Sequence, residues 1–366
     1  MKLETLLPLG KVDPGLRSPE IPLDINLVAE KAQLLESIGY SGLITEETKD
    51  DPFIVMALAA QATKTLKLGT GVAIAFPRSP AITAMSAWTL QKMSRGRFTL
   101  GLGTQVRGHI IRRYGMQWSP AGPWIREYIG AVRAFWRCWQ DDVPLAFTGQ
   151  HYKLDLMVPL FNPGPIAQPE IPIHLAAVKP VLSRISGEVA DGLRPHPVCT
   201  PSYIRKIMLP AVREGAATAG RALTDFDVCM KPLVATARTE EVLQQKIRDA
   251  RARIAFYAST PAYTDAFTHL GLQSLASEAQ VLSKRQDWDA LPALIDDEVL
   301  GAFAVIGSYD EIADKLIDRW GNLVTHIEFS IGVDTAEDLR DLEAIAKKIQ
   351  LQGEDNARRT IVGELS

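Results

Sequence analysis

The stretch from Arg97 to Trp118, RFTLGLGTQVRGHIIRRYGMQW, concentrates the residue types best able to hold a flat, anionic molecule. An apolar run (Phe98, Leu100, Leu102) rises into Gly101 and Gly103, then gives way to Arg107, His109, Arg112 and Arg113. Small residues at the end of a buried strand let a ring system lie close to the backbone. Arginines can grip phosphate or carboxylate groups through paired hydrogen bonds. Two further residues could move protons. Glu47 ends an apolar run ahead of Asp50-Asp51-Pro52, and His196 sits in Gly192-Leu-Arg-Pro-His-Pro. A carboxylate beside a reacting ring can donate or accept a proton, or shape the pocket. Equally, Glu46 or Glu47 can pair with an arginine such as Arg78 or Arg107. Histidine changes protonation near neutral pH, although a lone histidine is more often structural. His109 reads as a support for Arg107.

These residues fall at the ends of regularly spaced elements. Lys2–Leu7, Gly42–Glu47, Leu66–Phe76 and Phe98–Gly103 read as strands, alternating with helices over Asn26–Ile38, Pro52–Thr63, Ala81–Met93 and about Gly122–Gln140. Ile171–Ala177, Asp191–Arg194, Phe226–Thr236 and His326–Gly332 continue the strands. Pro180–Ala190, Tyr203–Ala219, Glu240–Tyr257 and Ala336–Gln350 continue the helices. Eight strand–helix units joined by right-handed crossovers close a (β/α)8 TIM barrel. An open doubly wound sheet would carry phosphate-binding glycines after its first strand, and Leu6-Leu7-Pro8-Leu9-Gly10 lacks them. The expected organisation is one barrel domain over residues 1–352, with insertions after strands four and seven (about 141–170 and 259–307), and a charged tail at 353–366 that frays. The insertions are expected to wall the pocket. Trp88, Trp124 and Trp136 fall in helical patterns and read as core.

The C-terminal ends of barrel strands are where such folds build active sites. Gly69-Thr70-Gly71-Val72 closes strand three, where the glycines either relieve crowding inside the barrel or make room for a cofactor ring. Gly103, Thr104 and Gln105 follow strand four, either as a plain loop or as contacts to the polar edge of a ring. Ala176, Ala177, Val178 and Lys179 end strand five, and Pro180 opens the next helix, whose free N–H groups and dipole favour an anion. Lys179 could instead point to solvent.

Composition narrows the function. Hydrophobic residues make up 46% and charged residues 23%, with a net charge of −3, which argues against nucleic-acid binding through a basic surface. No apolar run is long enough to span a membrane, and the first residues do not open a signal peptide. Cys138, Cys199 and Cys229 lie far apart, as in a reduced, cytoplasmic protein. No metal-ligand spacing appears, and no G-x-S-x-G nucleophile elbow.

The segments GYSGLITEET, KLGTGVAIAF, GRFTLGLGTQVRGHIIRRYG and IPIHLAAVKP resemble the bacterial luciferase-like superfamily of flavin and deazaflavin enzymes, most of all its coenzyme F420-dependent oxidoreductases. The likeness runs from Leu3 to about Gln350. A Ser-Asp-His pattern often found in the family is replaced here by Glu46-Glu47-Thr48. The resemblance implies a barrel, a cis peptide at Gly71–Val72 under the cofactor ring, phosphate contact at Arg107-Gly108, and backbone contacts at Ala176–Lys179. It implies a hydride transfer between F420 and a small organic substrate, with Glu47 or His196 managing the proton. Arg107, Arg112 and Arg113 would suit the cofactor's anionic tail. Two alternatives stand beside it: an FMN-dependent two-component monooxygenase, and a flavin-binding protein without catalysis. Members of the family often form homodimers.

Overall fold

A computed structural model describes residues 1–11 and 22–365, with side chains through residue 351. Its strands, in chain order, are β1 Lys2–Thr5, β2 Gly42–Thr45, β3 Lys67–Thr70, β4 Ala73–Ile74, β5 Phe98–Gly103, β6 Phe147–Thr148, β7 Lys153–Leu154, β8 Ile173–Ala177, β9 Gly192–Pro195, β10 Asp227–Met230, β11 Leu233–Ala237, β12 Ala304–Ser308 and β13 His326–Glu328. Parallel pairing runs β1–β2–β3–β5–β8–β9–β10–β13 and returns to β1, closing an eight-strand barrel. This is the predicted TIM barrel.

Local chemistry sets the helices around it. Asp51 caps helix Pro52–Ala62 by accepting from the Phe53 and Ile54 N–H groups, with Pro52 at the first turn. Ser79 and Pro80 open helix Pro80–Ser94 in the same way. Helix Val28–Ile38 stops at Gly39, whose φ of +92° suits glycine. Successive strand residues face opposite sides. Leu3 and Leu43 therefore join the apolar core with Leu35 and Met56, while Glu4 and Arg194 meet across the barrel interior. Trp88, Trp124 and Trp136 are buried.

Four expectations are corrected. Strand three breaks into β3 and β4 around Gly71–Val72, whose peptide bond is cis. The seventh strand ends at Met230, and Leu233–Ala237 leaves the barrel to pair with Ala304–Ser308. Pro232 lies in the break and has no N–H to give a ladder. The last helix runs Ala336–Leu365 instead of stopping at Gln350, because no proline interrupts it. Residues 141–170 do not wall the pocket. They lie against the outside of the barrel helices, with Gln91 Nε2 donating to the carbonyls of Gln168 and Glu170 at 3.0 and 2.9 Å.

Candidate active site

A cavity of about 680 Å³ opens at the C-terminal ends of the strands. Small residues form one side of it: Gly71 and Val72 between β3 and β4, Gly103 at the end of β5, and Ala176 and Ala177 at the end of β8. The glycines are required by the backbone. A Cβ on Gly71 would lie 2.2 Å from Ile44 Cγ2, and one on Gly101 would lie 1.8 Å from the Thr70 carbonyl oxygen. Thr70 Oγ1 locks this approach by donating to the Gly101 carbonyl at 2.6 Å and accepting from the Gly101 N–H at 2.9 Å. Glycine here lets two strands nearly touch behind the cavity wall.

The β5 end continues through Thr104, Gln105 and Val106, all lining the cavity. Gln105 has φ +54°, an uncommon conformation for a residue with a side chain, and its Oε1 accepts from the Val106 N–H. Arg107 starts the short helix Arg107–Arg112, is exposed, and stands one residue beyond the lining. His109 is exposed on the same turn. Val178 and Lys179 line the opposite side, where helix Pro180–Val189 begins. The Lys179 ammonium lies 3.4 Å from Asp265.

The two candidate proton carriers part company. The Glu47 carboxylate accepts from the Ile74 N–H at 2.7 Å and pairs with Arg78 Nη1 at 2.5 Å. Its own N–H donates to the Val72 carbonyl. Glu47 thus clamps the chain that leaves the cis peptide, from Val72 to Ile74, and does not line the cavity. His196 does line it. The His196 ring stacks on Tyr263 at 4.2 Å and meets the edge of Tyr257 at 4.8 Å. Its Nδ1 accepts from the Val198 N–H, which puts the proton of the neutral ring on Nε2. Tyr263 and Ala262 are what the second insertion contributes to the wall.

Sequence reasoning missed a charged cluster on the remaining wall. Glu46 lies between Lys231 at 2.5 Å and Lys11 at 3.0 Å, and Lys231 also reaches Glu328 at 3.8 Å. Burial pushes the Glu328 carboxyl up to about 7, against the pull of Lys231. Arg194 pairs with Glu4 through both terminal nitrogens, at 2.9 and 3.2 Å, while its buried Nε finds no partner. Burial also raises the Cys229 thiol, so it is no nucleophile at neutral pH. The available signal was a charge directly after an aliphatic residue in a short strand: Glu4 in Lys-Leu-Glu-Thr, Arg194 in Gly-Leu-Arg-Pro, Glu328 in His-Ile-Glu.

Comparison with known proteins agrees with this architecture. The chain is 41% identical over 307 residues to an uncharacterized protein of Mycobacterium tuberculosis, covering 84% of this chain and 90% of that one. It is 28% identical over 347 residues to a putative coenzyme F420-dependent oxidoreductase of the same organism, covering 87% and 93%. Among solved structures, the coenzyme F420-dependent tetrahydromethanopterin reductase of Methanopyrus kandleri superposes with a TM-score of 0.71 at 20% identity, covering 96% and 98%. The model of the luciferase-like monooxygenase family matches residues 5–326, and the chain belongs to that family.

Proposed function

We propose that the cavity binds the deazaflavin coenzyme F420 and that the protein is an oxidoreductase passing hydride between it and a small organic substrate. One observation carries the reading: three successive barrel positions end in small residues opposite a wall of proton-bearing side chains, in a cavity within the usual size range for a cofactor. When bound, F420 supplies a ring carbon that carries hydride. Gly71, Val72, Gly103, Thr104 and Gln105 would hold its ring, and Ala176, Ala177, Val178 and Lys179 would hold the chain leading from it. The start of helix Pro180–Val189 and Arg107 offer N–H and guanidinium groups for its phosphate. Arg194 lines the cavity, and among the described residues its buried Nε has no partner.

The protein's part is placement and proton supply. Glu328, raised by burial to about 7, exchanges its proton near neutral pH, with Lys231 nearby to stabilise the charge left behind. His196, with its proton on Nε2, is a second donor. Glu47 is a positioning residue, acting through the backbone it clamps. Three free, buried cysteines suit a reduced cytoplasmic setting, and among the described residues no helix is long and apolar enough to cross a membrane. Ile54, Leu58, Ile82 and Met85 are exposed on two helices packed together, a face suited to a second copy of the chain.

The second reading is an FMN-dependent monooxygenase, favoured by the description of the matching family model. Titration with F420 and, separately, with FMN tests the choice. Oxygen uptake with reduced FMN would favour the second reading.

A further inference from the structure

A smaller cavity of about 130 Å³ adjoins the first and shares Pro197, Lys231 and Glu328 with its lining. Its outer wall is made by Thr236 of β11 and by Lys246, Asp249 and Arg253 of helix Glu240–Ala258. Among the described residues, two polar atoms of this lining have no hydrogen-bond partner, Arg253 Nη2 and Thr236 Oγ1, and both are shielded from solvent. Arg253 is only 9% exposed, and the contact that holds it is the face of Tyr257 at 5.7 Å.

A guanidinium nitrogen buried without an acceptor is costly, and an orphaned hydroxyl on the same lining adds to the cost. An oxyanion would satisfy both, accepting from the guanidinium and from the hydroxyl. The local charge agrees. Lys11, Lys231, Lys246 and Arg253 face this space, against Asp249, Glu328 and the adjoining Glu46. Lys11 and Lys231 are already engaged by Glu46 and Glu328. Among the described lining residues that leaves Lys246 and Arg253 against Asp249, an excess of one positive charge.

We infer that this cavity seats the carboxylate or phosphate group of the substrate on Arg253 and Thr236, while the rest of the molecule passes Lys231 and Glu328 into the larger cavity. The substrate class is then a small organic anion. The inference rests on the larger cavity being the redox site, but the anion seat can be measured without the cofactor.

The experiment is calorimetric titration of the full-length protein with inorganic phosphate and, separately, with propionate, in wild type, Arg253→Met, Arg253→Lys and Thr236→Val. At least one anion should bind wild type, about tenfold or more weakly to Arg253→Met, and with intermediate affinity to Arg253→Lys. Preference for phosphate marks a phosphate ester as substrate, and preference for propionate marks a carboxylic acid. The anion should raise the melting temperature of wild type and not of Arg253→Met, which should be no less stable than wild type in anion-free buffer. Binding of neither anion to wild type, or equal binding to wild type and Arg253→Met, overturns the inference. F420 titrated in parallel should bind wild type and Arg253→Met alike. Loss of F420 binding by wild type with the anion results intact would remove the cofactor reading and leave the anion seat.

Discussion

Arg194 of β9 and Glu4 of β1 meet across the inside of the barrel, Nη1 to Oε1 at 2.9 Å and Nη2 to Oε2 at 3.2 Å, directly beneath the cavity. Burial alone would push the Glu4 carboxyl up, yet the guanidinium holds it below its ordinary range. Both residues are nearly inaccessible, so removing one partner strands a buried charge. Arg194→Met should therefore cost about 3–5 kcal/mol. Glu4→Gln combined with Arg194→Met should recover part of that loss. Urea unfolding of the single and double variants measures both, and additive losses would contradict the pairing.

The clamp at Glu47 gives a different signature. Glu47→Ala loses the bonds to the Ile74 N–H and to Arg78, so cofactor affinity should fall about tenfold. Glu47→Gln keeps an acceptor for the Ile74 N–H and should stay within about threefold. A positioning role leaves kcat nearly constant at saturating cofactor in both variants. A large fall in kcat with unchanged affinity would instead make Glu47 a proton carrier.

Glu328 and His326 stand two residues apart on β13 and shift stability with pH in opposite senses. Burial raises Glu328 to about 7, so between its unfolded value of about 4.5 and 7 the folded state binds more protons, and stability falls as pH rises. Burial lowers His326 to about 4, against the pull of Asp227, so between about 6.5 and 4 stability falls as pH drops. Thermal melts of Glu328→Gln should lose the decline between about pH 4.5 and 7 and exceed wild type at pH 8. Melts of His326→Gln should flatten the acid side.

His196→Asn separates two uses of one ring. The asparagine oxygen can still accept from the Val198 N–H, but the ring donor is gone. Steady-state turnover should fall about a hundredfold, within the usual range for losing a general acid, while cofactor affinity holds. Retained turnover would leave His196 a stacking partner for Tyr263.

Light scattering should give twice the chain mass in solution. Ile54→Asp, at a residue 57% exposed, should shift it toward one chain if that face joins two copies. A monomeric wild type would contradict the dimer.

The barrel was legible because alternation of strand and helix is written locally, through Asp51-Pro52, Ser79-Pro80 and Gly39. The site was only partly legible. Naming Glu47 over Glu46 turned on one residue of register in an extended segment, where neighbours face opposite ways. The structure turns Glu46 to the cavity and Glu47 to the bulge. Glu4, Arg194, Lys231 and Glu328 form no local motif. They meet only because β1, β9, β10 and β13 share one barrel. The cis peptide, likewise, was signalled by family likeness and not by any property of Gly71 or Val72 alone.

The most direct test is equilibrium titration of the purified protein with F420 and, in a separate cell, with FMN, followed by absorption and fluorescence. The account predicts saturable binding of one F420 per chain, weakened by Glu47→Ala, with FMN bound far more weakly. Tight FMN binding without F420 binding would contradict it.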